Sequence, residues 1–178
     1  MSNSSFRMLP HAALFKWALY YGLLMGLAAI AGFFLTNWFV EKSLWVSLVA
    51  MGTYLAEFFI VYYGLKKYKE THRDFSFLHG FILAIYISFI SALVLVLYTL
   101  LFYYVIDPGA MEADLAKREA AMLKEMPDNP EEVAHVMGII RSFYAYILLA
   151  GSLISQLFIG LLSGLSSAFI LKDQELKA

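Results

Sequence analysis

The sequence contains no cysteine. That excludes disulfides, thiolate metal sites and cysteine nucleophiles. Charge is also scarce: Asp, Glu, Lys and Arg make up 15% of the chain, against about 25% in soluble domains. The formal net charge is -1, so the chain has no overall basic field for nucleic acid. Its four histidines, His11, His72, His79 and His135, are scattered without ligand spacing. No cofactor or metal site is expected, and the serines of the last apolar run have no histidine nearby to activate them. With no catalytic constellation in view, an enzyme is not expected.

What fills the space is apolar. Hydrophobic residues reach 61% of 178, enough for one domain, and mean hydropathy is +0.70. Residues 44–65 organise the rest: 22 residues carrying one charge, Glu57, near the middle. At about 1.5 Å per residue such a helix crosses a hydrocarbon core of roughly 30 Å. A carboxylate at that depth costs about 2.5 kcal/mol or more, so it must face protein or water or hold its proton.

Three further apolar runs accompany it. Residues 17–40 are uncharged and continue well past a small-residue Ala29-Ile30-Ala31 sequence, so they read as a retained span rather than a cleaved signal. Residues 75–106 carry no charge and end in aromatics, with Asp107-Pro108-Gly109 as a stop. Residues 142–171 form the last run. The predicted fold is an all-α integral membrane protein, a single four-span domain over residues 1–178. Its spans lie at 17–40, 44–65, 77–106 and 142–171, with an extramembrane helical loop at 107–141. In that loop Met111, Leu115, Met122 and Met126 fall near one helical face, predicting an amphipathic helix that docks on lipid or on a partner protein. Asn129, Pro130 and Glu131-Glu132 then signal the start of a new helix that runs into the fourth span.

Lys and Arg set the orientation. The N-terminus, the loop after span two and the tail hold 2, 4 and 2 of them, against 5 on the other side. Both termini are therefore expected in the cytoplasm. Lys66, Lys67, Lys69 and Arg73 form a juxtamembrane basic cluster that either anchors the span or meets anionic lipid headgroups.

Lipid removes the hydrophobic drive between helices, leaving close packing and polar contacts to hold them. Small residues recur every fourth position: Ala18, Gly22 and Gly26 in span one; Gly80, Ala84, Ser88 and Ala92 in span three; Ser152, Gln156, Gly160, Gly164 and Ala168 in span four. Gly22, Gly26, Gly80, Ala84, Gly160 and Gly164 are the predicted packing positions, within one bundle or between copies. Counting from the ends of each run puts Glu57, Ser88, Ser91 and Gln156 at similar depth, which predicts one intramembrane polar layer. Two functions are consistent with these features. One is a protein acting through helix packing in a homo-oligomer or with a membrane partner. The other is a small transporter, channel or proton-coupled component built on Glu57.

The chain resembles an uncharacterised family of four-span bacterial inner-membrane proteins, domain of unknown function 4199. The residues carrying the resemblance are Phe75-Ser76-Phe77 with Gly80, Tyr103-Tyr104-Val105-Ile106-Asp107-Pro108, Pro130-Glu131-Glu132 and the Gly/Ser-rich last span ending at Lys172. The resemblance implies location and architecture, and it carries over no catalytic or binding residue.

Overall fold

The computed structural model describes residues 11–38, 43–72 and 75–173. Arg73, residues 39–42 at the junction of the first two spans and the polar tail from 174 lie outside them. The described residues form α1 (His11–Trp38), α2 (Ser43–Thr71), α3 (Phe77–Leu101), α4 (Gly109–Glu125) and α5 (Pro130–Asp173). A π-helical turn, Phe102–Ile106, ends α3, where the Asp107 N–H donates to the Phe102 carbonyl at 2.8 Å. Its i→i+5 bonding adds a turn that apolar periodicity does not reveal.

Among the described residues, four helices are long and apolar enough to cross a bilayer: 14–36, 44–71, 77–106 and 130–171. Their outward side chains agree with that reading. Tyr54, Phe59, Leu97, Tyr146, Ile154 and Phe158 are all more than half exposed, an apolar surface far beyond what a soluble monomer carries. α2 continues to Thr71 and α5 begins at Pro130, so both helices extend beyond the apolar runs read from sequence.

The chain divides into two compact units. The first comprises residues 1–95 and 153–178, and therefore α1, α2, most of α3 and the later part of α5. Its core includes Met25, Val61, Leu65, Tyr68, Leu83, Ile87 and Leu171, each fully or almost fully buried. Missing side chains set the helix contacts. A side chain at Gly22 of α1 would meet Ile90 of α3 at 2.7 Å, and one at Gly26 would meet Val94 at 2.8 Å. A Cβ on Gly32 would collide with Thr53 of α2. On α5, a Cβ on Gly160 would enter Ser88 and one on Gly164 would enter Ala84, while a Cβ on Gly80 of α3 would sit 3.4 Å from that of Ala168. The α3 and α5 small-residue stripes thus close on each other within a single chain, while the α1 glycines admit Ile90 and Val94 of α3.

The second unit, residues 96–152, joins the end of α3, the π-turn, α4 and the first part of α5. Asp107 starts α4, its carboxylate accepting from the Ala110 N–H at 3.1 Å. Leu115 of α4 is fully buried with Val133, Met137 and Tyr144 of α5, and Met111, Met122 and Met126 pack against them. α5 of the same chain therefore covers the methionine-bearing face of α4.

Two polar contacts pin α4 to α5 as well. The Tyr144 hydroxyl donates to Asp114, and Arg141 pairs with Glu112 at 3.1 Å. Partial burial pushes the Asp114 carboxyl up, but hydrogen bonds from Tyr144 and Arg118 outweigh it, so the group titrates below the ordinary aspartate range. A carboxyl depressed in the fold stabilises at pH values above its unfolded range, and that support is lost as pH falls through the folded value. Hydrogen exchange in α4 should therefore speed up on acidification from neutral pH to below the aspartate range. Asp114→Asn should start with weaker protection and lose most of this response.

Candidate functional site

The polar layer lies in the middle of the first unit. Glu57 stands on α2 with Val61 and Gly64 one and two turns on, and these three positions face inward. Only 1% of Glu57 is exposed. Across from it on α5, Gln156 donates through Nε2 to Glu57 Oε1 at 3.3 Å and to Ser91 Oγ of α3 at 2.8 Å. Gln156 reaches this point because Gly160, one turn on, has no side chain to hold α5 away from Ser88. One amide therefore ties three helices together.

Of the four residues expected in the layer, Glu57, Ser91 and Gln156 share direct hydrogen bonds. Ser88 is at the same level and fully buried, but its hydroxyl turns back to the Ala84 carbonyl of its own helix at 2.8 Å. Serine in a helix often takes this i−4 bond, so its depth is right while its partner is local.

The pairing of Glu57 is incomplete. Oε2 is buried and has no hydrogen-bond partner among the described residues. Among the described residues no cationic side chain neutralises the group, and no cluster of three or more His, Asp or Glu residues that would hold a metal occurs. A buried polar atom left without a partner is uncommon and costs roughly 1–3 kcal/mol, more for a charged group.

The helix ends hold the other predicted residues. Lys67 pairs with Glu70 at 2.7 Å on the exposed surface of α2. Lys69 reaches across to the Leu171 carbonyl at 2.6 Å, where its charge suits the C-terminal end of α5. Lys66 is partly exposed. Sequence reasoning missed the Lys69 contact, whose partner lies 102 residues away with no local signal to announce it. It also missed Tyr68, which is fully buried, stacked on His72 at 4.1 Å between ring centroids, and without a partner for its hydroxyl among the described residues.

Among the described residues, four long apolar helices, three of them joined at a buried polar layer, define a multi-pass membrane protein. Residues 16–173 match the family described as Protein of unknown function (DUF4199), and the chain belongs to that family. No curated protein and no solved structure matches the chain.

Proposed function

We propose that the chain is a proton-handling protein of the bacterial inner membrane, with Glu57 as the exchanging group of a small transporter or proton-coupled component. One observation carries this reading: the half-paired carboxyl, its Oε2 buried in mid-helix without a partner or counter-charge among the described residues. Helix packing alone does not account for it. A glutamine at position 57 would accept the same bond from Gln156 at far lower cost in the bilayer. Gln156, itself bonded to Ser91, presents an amide that can give or take a hydrogen bond in either protonation state of the acid.

The reading is non-enzymatic, and it places both termini in the cytoplasm with the α4 loop outside, following the Lys and Arg distribution. It takes α4 as an amphipathic helix whose apolar side is turned to α5. No Gly/Pro-broken helix occurs among the described residues, so a second copy or a membrane partner would complete a path across the bilayer. Assembly through the named glycine stripes has less to support it, since those positions already meet neighbours within the chain. An oligomer would meet through other faces.

In reconstituted vesicles, wild-type protein should carry proton flux driven by an imposed gradient, and Glu57→Gln should reduce it at least tenfold. Equal flux through both proteins, or none through either, would overturn the proposal.

A further inference from the structure

A groove of about 570 Å³ runs between α2 and α5 of the first unit, alongside the Glu57 layer. Its size falls within the roughly 300–1,000 Å³ of sites that hold small organic molecules. Tyr54, Phe58 and Phe158 wall it, and Ser155, Ser163 and Ser166 add hydroxyl-bearing side chains. The rim is open: Tyr54 is 54% exposed and Phe158 61%. Between α2 and α5 at this level the groove faces the bilayer, so its occupants would come from the lipid phase.

The groove and the buried pair share their helical turns. Glu57 lies one position before Phe58 and three after Tyr54. Gln156 follows Ser155 directly and precedes Ile159, another lining residue, by three. At 100° per residue, Glu57 and Gln156 border the two groove-facing stripes. The carboxyl with no counter-charge is therefore next to an aromatic groove open to lipid.

We propose that this groove binds a lipid-soluble organic cation, an amine or quaternary ammonium on an apolar body, and that the cation and a proton exchange at Glu57. This rests on the reading of Glu57 as a proton-handling group and adds the substrate class. Aromatic faces attract such cations. The charge of a buried carboxylate reaches further in a low-dielectric interior than in water. An acyl chain would satisfy the apolar walls but leave Oε2 unpaired, and an anion would be repelled. A small hydrated metal ion would have to shed water into a layer whose nearest amide presents N–H donors, not oxygens. Phe58, the next residue after Glu57, lines the groove and is half-buried, and its rotation would open a way from the groove toward the carboxyl. The Glu57 O–H bond breaks as the cation arrives, its proton passing to bulk water, and re-forms with a proton from water as the cation departs; no other bond changes. Among the described residues Tyr54 is the one titratable group lining the groove, and no charged group acts on Glu57 from the helices packed against it.

The test uses the full chain in lipid nanodiscs with tetraphenylphosphonium as probe, measured by equilibrium dialysis across pH. Expected results are saturable binding that tightens as pH rises, release of a proton on binding, and at least tenfold weaker binding for both Glu57→Gln and Ser166→Trp. The tryptophan fills the groove without touching the acid, so it remains informative where Glu57→Gln is poorly folded. Unchanged binding by a folded Glu57→Gln would mean capture by apolar walls alone, and would overturn the proposal. Absent binding beside intact Glu57-dependent proton flux would overturn the substrate class while leaving the proton reading standing.

Discussion

Gly160→Val should be the most damaging single substitution in the chain. A Cβ at this position enters the Ser88 side chain, and valine adds two methyl groups with one favoured rotamer. α5 would have to move off α3, and the Gln156 bonds to Glu57 and Ser91 one turn away would stretch with it. Overpacking of this kind costs about 3 kcal/mol. In mild detergent that should lower the thermal unfolding midpoint by about 6–12 °C for a chain of this size. Gly151→Val supplies the control. Nothing lies within 4 Å of the position a Cβ would take at Gly151, so its midpoint should stay within about 2 °C of the wild type. Equal effects of the two substitutions would mean that the α3–α5 approach is not what holds the bundle.

Gln156→Leu should come next. It removes the donor that Glu57 Oε1 and Ser91 Oγ share, so neither oxygen of the buried acid keeps a partner among the described residues. Interhelical hydrogen bonds in membranes average only about 0.6 kcal/mol. Stranding a buried acid is a different matter, and about 3 kcal/mol is expected. Glu57→Leu combined with Gln156→Leu should be milder than Gln156→Leu alone, because it removes the stranded group together with its partner. The unfolding midpoints of the wild type, the two single variants and the double variant form the cycle that measures this. Additive losses across it would show that the two residues do not act on each other.

Much of this site was legible in the sequence, for a simple reason. A hydrocarbon slab fixes depth, so counting from the ends of apolar runs brings Glu57, Ser91 and Gln156 to one level. The fourfold spacing of Gly160, Gly164 and Ala168 identified the packing face of α5, because only small residues permit that approach. Ser88 shows where counting stops. Depth says nothing about whether a hydroxyl turns across to a neighbour or back to its own helix. The π-turn at Phe102–Ile106 changes backbone bonding without changing composition, so no apolar pattern marks it. The cover over α4 was hidden differently. Met111, Met122 and Met126 announced an apolar face, but a face does not name what lies against it, and here it is α5 of the same chain. The Lys69 contact with the Leu171 carbonyl depends on where α2 and α5 end relative to each other, which only the folded bundle decides.

The central claim is that one chain closes its own small-residue edges and so buries Glu57. The absence of native cysteine gives a clean background for testing it. A Cβ at Gly80 would lie 3.4 Å from that of Ala168, close to the roughly 3.5–4.5 Å of a disulfide. The Gly80→Cys, Ala168→Cys double variant should oxidise in membranes to a cross-link within the chain, running at monomer mass with no free thiol. Cross-links found only between copies, or two thiols that stay free under oxidant, would contradict the account.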